Sequence, residues 1–507
     1  MTAPDIVKYT LVALYFLVLA GLCTLGAHRA FTVFLVRKHR RIIERAQRPL
    51  SRFEESELPT VTVQLPLYNE ATVAARLIHA AGNFDYPSDK LEIQVLDDSS
   101  DETRTISEAA VKELRAKGID AHYVRRPDRH GYKAGALDFG LNTAKGEFIA
   151  MFDADFVPQK SFIRQIIDHF HDPKVGMVQT RWDHMNRDAN ILTQVQALML
   201  DGHHLVENCA RFGAGCYFNF AGTGGMWRRE AIERAGGWEH DTLTEDLDLS
   251  YRAQMAGYEF IYRPDVLTPS ELPEDVSALR AQQHRWAKGT VQTARKLLPT
   301  VLANKKMSLH QRIEAGFHML PHFAYPLMVL LAVLLLPALV LLPAADVRTM
   351  ALIDLPLVFG TTGSIAAFYA TAERSQGRSA WGAIKRLPLL IGLGAGLAPH
   401  LTGAVWSGMN HMSGEFVRTP KRGESRGRYK MGAKLPLAEL ILAVLCSASF
   451  IAAVETGHWF AAPFALLFTW GYSYVALLVL KEQLLPAPVS SDSADSAVEE
   501  PTLAKAA

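Results

Sequence analysis

Asp153 and Asp155 stand one residue apart at the end of the apolar run EFIAMFDAD (147–155). In an extended chain, side chains two positions apart leave on the same side, so both carboxylates face one ligand. Two such acids repel unless a cation lies between them. A hard divalent ion, magnesium or manganese, also bridges diphosphate oxygens and neutralises a departing nucleoside diphosphate. Thr244, Glu245 and Asp246 open the stretch TEDLDLSYRAQMAG. Thr244 suits an N-cap, and a helix N-terminus favours ionised acids, which keeps Asp246 available as a general base. Gln282, Arg285 and Trp286 come from QQHRW. Arg285 can pair with diphosphate oxygens and Trp286 can stack on a sugar ring. Asp97 and Asp98 end the run EIQVLDD, where a carboxylate can accept hydrogen bonds from a base or a ribose. Each group has an ordinary use as well. Asp-x-Asp pairs are common in turns, acids suit helix starts, Ser99, Ser100 and Asp101 suit capping, and Arg with Trp suits an interfacial helix.

Positioning these groups requires strands that end where the acids stand. The runs at 60–66, 92–98, 121–126 and 147–155 read as strands, and 71–81, 102–117 and 132–143 read as helices between them. That alternation predicts an α/β domain with a parallel or mostly parallel sheet covered on both faces. Ligands of such sheets bind beyond the carboxyl ends of the strands, where the acids are. No G-x-G-x-x-G follows the first strand, and GYKAGA (131–136) has another spacing, which argues against a dinucleotide site.

The apolar stretch at 9–36 is long enough to cross a bilayer, and Arg37, Lys38, Arg40, Arg41, Arg45 and Arg48 follow it. It reads as an anchor with its basic flank in the cytoplasm, so the domain at 50–300 is expected there, in an inner or plasma membrane protein. Further apolar runs lie at 323–342, 350–371, 387–409, 437–454 and 459–480. The run at 387–409 has basic residues on both sides, together with glycines and Pro399. We expect it to be re-entrant or interfacial, or two half-length pieces, and not a span. The layout is then an N-terminal transmembrane helix (1–40), the α/β domain (50–300) and a C-terminal membrane region (308–482). That region includes the interfacial segment near 387–411 and a cytoplasmic loop at 412–434, and a disordered tail (483–507) follows it. A net charge of +1 gives no concentrated basic face for nucleic acid. The four cysteines, Cys23, Cys209, Cys216 and Cys446, have neither metal-type spacing nor a disulfide framework.

The ordered set of an early Asp, Asp-x-Asp, Thr-Glu-Asp and Gln-x-x-Arg-Trp resembles the processive branch of glycosyltransferase family 2, which includes cellulose, mannan, chitin and hyaluronan synthases. LPLYNE, RHGYKAGAL, VQTRWDHMN, FNFAGTGGMWRREAIERAGGW, SELP and QQHRWAKG resemble in particular the cellulose-synthase-like A group, the glucomannan mannosyltransferases. The likeness covers most of 58–298. FVRTPK (416–421) resembles the gating-loop motif Phe-x-Val-Thr-x-Lys, with Arg418 in place of Val. Where the family's acceptor motif has Asn-Gly-Thr or Val-Gly-Thr, this chain has Ala221-Gly222-Thr223.

The resemblance implies a GT-A nucleotide-sugar-binding domain set between transmembrane helices. It places Asp97, Asp98, Lys133, Asp153, Asp155, Gln282 and Arg285 on the donor. Asp153 and Asp155 would hold the divalent cation, and Asp246 would be the base. Gly222, Thr223, Glu245 and Trp286 would form the acceptor side. The implied chemistry is one in-line displacement that turns an α-linked UDP-glucose or GDP-mannose into a β-linked, β-1,4 polymer, secreted across the membrane with accessory secretion proteins as candidate partners. Two other readings use the same motifs. One is a glycolipid synthase that adds a single sugar to ceramide or diacylglycerol. The other is a sugar-nucleotide-binding membrane protein without transfer, against which Asp246 counts, since binding alone needs no base.

Overall fold

The computed structural model describes residues 3–341, 348, 358–412, 414 and 435–484. The expected run at 350–371 lies partly outside the described residues. The 416–421 motif, nearly all of the 412–434 loop and almost the whole tail lie outside them as well.

The chain begins with the apolar helix α1 (Ala3–Lys38) and then builds a seven-stranded sheet. Its strands are β1 (Val61–Leu67), β2 (Leu91–Asp97), β3 (Asp120–Val124), β4 (Phe148–Met151), β5 (Val175–His184), β6 (Gly225–Arg228) and β7 (Glu259–Ser270). They lie in the order β3-β2-β1-β4-β6-β5-β7. Pairing is parallel except at β6, which runs antiparallel to both β4 and β5. β1 and β2 are buried almost throughout, polar Thr62, Gln64, Glu92 and Gln94 included, because helices cover both faces of the sheet. Among those helices are α2 (Ala74–Gly82), α3 (Thr103–Ala116) and α4 (Tyr132–Leu141). α3 buries Thr103, Ser107, Ala110, Val111 and Leu114, one stripe at helical spacing. The chain moves outward from β1 through β2 to β3, then returns to place β4 on the other side of β1. That reversal opens a crevice at the carboxyl ends of β1 and β4.

The domain continues through α5 (Ile191–Gly202), α6 (Glu245–Met255) and the long α7 (Val276–Ala303). Beyond it come α8 (Ala324–Leu341), α9 (Ser364–Ser375), α10 (Ala380–Asn410), α11 (Leu437–Glu455) and α12 (Ala462–Leu484). Among the described residues, α1, α10, α11, α12 and the segment that ends in α8 are long and apolar enough to cross a membrane.

Residues 387–409 differ from one sequence expectation. They form neither a re-entrant turn nor two half-length pieces, but part of the unbroken helix α10, which runs through Pro388 and Pro399. Its glycines serve packing. A Cβ on Gly392 would come within 2.2 Å of the Trp470 ring, and one on Gly396 within 2.4 Å of the Gly471 carbonyl. Small residues of this kind let two helix backbones approach closely. Both ends of α10 meet the α/β domain. Near the first, Arg386 donates to Gln194 on α5 at 3.4 Å, and at the other Gln292 on α7 donates to the His411 carbonyl at 2.8 Å.

Candidate active site

A cleft opens where the sheet topology predicts one, and its lining includes Asp98, Lys133, Asp153, Asp155, Gly222, Glu245, Asp246, Gln282, Arg285 and Trp286. The residues come from strand ends, helix starts and one face of α7. Asp153 and Asp155 follow β4. The Asp153 backbone N–H donates to Thr223 Oγ1 at 2.9 Å, so buried Thr223 acts through the backbone of the acid pair and does not line the cleft. Lys133, in the first turn of α4, places Nζ 2.5 Å from Asp153 Oδ1 and donates to the Gly222 carbonyl at 2.8 Å. Gln282, Arg285 and Trp286 lie three and four residues apart on α7 and therefore share a face.

Asp97 and Asp98 part company. Asp98 lines the cleft and is gripped by Arg126, whose Nε lies 2.8 Å from Oδ1 and whose Nη2 lies 2.5 Å from Oδ2. Asp97 is buried, accepting from the Ser99 N–H at 2.8 Å and the Tyr123 hydroxyl at 3.1 Å. The structure does not bring Asp97 to the cleft, because neighbouring residues at a strand end leave on opposite sides.

Asp246 sits in the first turn of α6, and its Oδ1 accepts from the Leu247 N–H at 2.8 Å. Thr244 stands at the N-cap but makes no capping bond. Its hydroxyl pairs instead with that of Thr293 at 3.0 Å, which fastens the start of α6 to α7. Burial, reinforced by Glu245, pushes the Asp246 carboxyl up to about 7, against the pull of Lys133. Burial raises Glu245 as well, with Lys133 opposing. Burial alone would lower Lys133, but Asp153, Glu245 and Asp246 outweigh it and hold the ammonium more basic than usual. Arg285 is lowered by burial, with the cleft acids resisting. Gly222 makes this crowding feasible. Its φ is +80°, and a Cβ there would lie 2.9 Å from Asp246 Oδ2 and 3.5 Å from Lys133 Nζ.

Asp153 and Asp155 fit a divalent cation. Both offer hard carboxylate oxygens to one cleft, and the approach of Lys133 marks Asp153 as a place that draws positive charge. Two other acidic groups among the described residues have near-ligand spacing, but neither lines the cleft, and each pairs with a lysine. Lys145 is 2.6 Å from Asp120 in the Glu92–Asp120–His122 group, and Lys296 is 2.5, 2.8 and 3.0 Å from Glu239, Asp241 and Asp248.

Several lining residues carry no motif-level signal. Arg129 lies 3.3 Å above the Tyr68 ring, Glu271 pairs with Arg76 at 2.6 Å, and Trp182 and Phe156 complete an apolar wall. Tyr68, Trp182 and Glu271 fall inside LPLYNE, VQTRWDHMN and SELP, stretches that carried the family likeness without a role for these positions.

Residues 59–289 match the family model described as Glycosyltransferase like family 2. The chain is 37% identical over 311 residues to "Probable glucomannan 4-beta-mannosyltransferase 4" of Oryza sativa subsp. japonica, covering 60% of this chain and 57% of that protein. It is 41% identical over 263 residues to "Glucomannan 4-beta-mannosyltransferase 2" of Arabidopsis thaliana, covering 51% and 49%. The chain thus spans about half the length of the curated relatives it matches. Among solved structures it resembles the mannosyltransferase PcManGT from Pyrobaculum calidifontis, determined in complex with GDP-Man and Mn2+. The TM-score is 0.54 at 22% identity, over 79% of this chain and 99% of that one, a likeness of fold.

Proposed function

We propose that this chain, whose residues 59–289 carry a family 2 glycosyltransferase domain, transfers a hexosyl unit with inversion from a nucleoside diphosphate sugar to a β-linked polysaccharide. The observation that carries the reading is the cleft itself, which gathers the Asp246 carboxyl, Lys133, Arg285 and the Asp153–Asp155 pair, and burial raises the Asp246 carboxyl toward neutrality. A base poised near the working pH is ionised often enough to act and still basic enough to take a proton.

In this mechanism Asp246 accepts the proton of the acceptor hydroxyl as that oxygen attacks the anomeric carbon. Lys133 and Arg285 face the diphosphate and stabilise the charge that grows on it, in a cleft where low solvent access strengthens the interaction. Asp153 and Asp155 would hold a divalent cation, which supplies further charge neutralisation to the leaving group when bound. The bond to the diphosphate breaks as the glycosidic bond forms, so an α-linked donor gives a β-linked product. Gly222 keeps Asp246 and Lys133 close. Trp286 offers a flat apolar face to the acceptor.

The names of the curated relatives favour mannose as the sugar and a β-1,4 linkage. The basic residues after α1 support a cytoplasmic position for the domain, where nucleotide sugars are made. The test is incubation of membranes carrying the protein with labelled GDP-mannose and, separately, UDP-glucose, followed by linkage analysis. A β-1,4-linked polymer from GDP-mannose is the expected result. A lipid bearing one sugar would replace this reading with the glycolipid synthase, and binding of donor without transfer would leave a non-catalytic protein.

A further inference from the structure

The cleft lining divides by chemistry. One part is charged, and another is apolar, made by Phe156, Trp182, Leu200, Leu272 and Trp286. The two indoles are related. Both pack on one small core of Ala197, Leu200 and Leu272, Trp182 packs on the main sheet core as well, and both are partly exposed to the cleft. Trp182 lies near the end of β5 and is held firmly in place. The Phe156 ring meets it edge-on at 5.2 Å, His204 lies 5.2 Å away on another side, and its Nε1–H points at the Thr223 carbonyl at 3.4 Å. Thr223 is the residue whose hydroxyl holds the Asp153 backbone. A tryptophan needed only for the core would be sealed. This one is clamped by its neighbours and still faces the cavity.

A pyranose ring presents an apolar face of C–H groups, and a β-linked chain presents such faces one after another. Two fixed indoles on one support suit two successive rings. We propose that Trp182 is a second carbohydrate-contacting residue, which holds a non-reacting sugar of the acceptor chain next to the one on Trp286. The occupant is acceptor and not donor because the surface around Trp182 continues into Trp286 through the shared apolar core, whereas the charged lining suits the nucleoside diphosphate. The inference rests on the glycosyl-transfer reading above.

The test uses the full-length protein in membranes or detergent, labelled donor, and β-linked hexose oligosaccharides of increasing length as acceptors. In the wild type, acceptor KM should fall when a second ring is added. Trp182→Leu should raise the KM of the longer acceptors about 3- to 10-fold, the range expected for one lost stacking contact. Donor KM should move much less, and Trp182→Phe should recover part of the loss because it restores an aromatic face. Equal changes in donor and acceptor KM, or a loss confined to kcat, would overturn the assignment. So would a wild-type acceptor KM that does not depend on length, a result that needs no variant to fold. Absence of any transfer by the wild type would instead remove the reading on which the inference rests.

Discussion

In the proposed reaction the deciding residue is Asp246, and its environment makes two distinguishable predictions. Asp246→Asn keeps the shape and removes the proton acceptor, so transfer should fall by roughly 10²–10⁴-fold while labelled donor still binds. Near-normal turnover in the folded variant would mean another group is the base. The second prediction concerns pH. A carboxyl pushed up to about 7 places the acid limb of the kcat/KM profile near neutrality and not in the usual carboxylate range. The sign for stability follows from proton binding. The folded state holds its proton at pH values where an unfolded aspartate, with a value of about 3.9, has lost it. The stability contribution is therefore intact below about 4, falls as pH rises through the window up to about 7, and is flat above it. Asp246→Asn should accordingly gain in melting temperature relative to wild type between pH 5 and pH 8. Excess chelator should silence the enzyme, and Asp155→Ala should weaken donor binding. Full activity in chelator would give Asp153 and Asp155 another purpose. At this scale the sequence was readable wherever acids came in pairs or at a helix start. Asp97 and Asp98 could not be separated, since one residue of register decides which faces the cleft. Arg129 and Trp182 lie in RHGYKAGAL and VQTRWDHMN, yet no role could be read for them, because a single cation or indole has no spacing to detect.

At the scale of elements, α7 is the piece that assembles the site, and it is tied to the membrane helices along its length. Asp275 caps its first turn through the Ala278 N–H at 2.7 Å. Glu482, near the end of α12, accepts from the Val276 and Ser277 N–H groups at 2.8 and 3.2 Å and from the Ser277 hydroxyl at 2.5 Å. Arg280 pairs with buried Glu439 at the start of α11 at 3.3 Å, and Arg295 reaches the Gly408 carbonyl at 3.1 Å. Glu482 thus satisfies N–H groups that a helix start always leaves open. Glu482→Ala should cost about 1 kcal/mol, the usual worth of a cap, read as a lower melting temperature, with Glu482→Gln between it and wild type. Unchanged melting in both variants would show that α7 needs no support from α12. Strands were legible to within a residue or two at β1 and β2 because each run, rich in β-branched residues, stops at a polar turn, Asn69-Glu70 after β1 and Asp97-Asp98 at the end of β2. The glycines of α10 misled, since a glycine that breaks a helix and one that lets a neighbour close in look alike until the neighbour is known.

At the scale of the whole molecule, the contacts decide which helix ends share the side of the catalytic domain. The start of α11 reaches that domain through Glu439, and the end of α12 returns to it through Glu482. α11 therefore leads away and α12 leads back, so the end of α12 lies on the domain's side. α10 needs a different account. Its 31 residues extend about 46 Å, ample for a crossing. Yet near its start Arg378 pairs with Asp201 at 2.7 Å and Arg386 reaches Gln194, while just past its end His411 is bound by Gln292 on the same domain. One domain cannot lie on both sides of a bilayer, and we therefore propose that α10 runs along the domain at the membrane surface. Basic residues on both flanks agree, because neither flank then has to be translocated. Reporters fused after Arg48, after Lys421 and at the C-terminus should all read cytoplasmic, while one placed between α11 and α12, after Gly457, should read external. An external signal after Lys421 would make α10 a span and would overturn the placement argued from the contacts of Gln194 and His411.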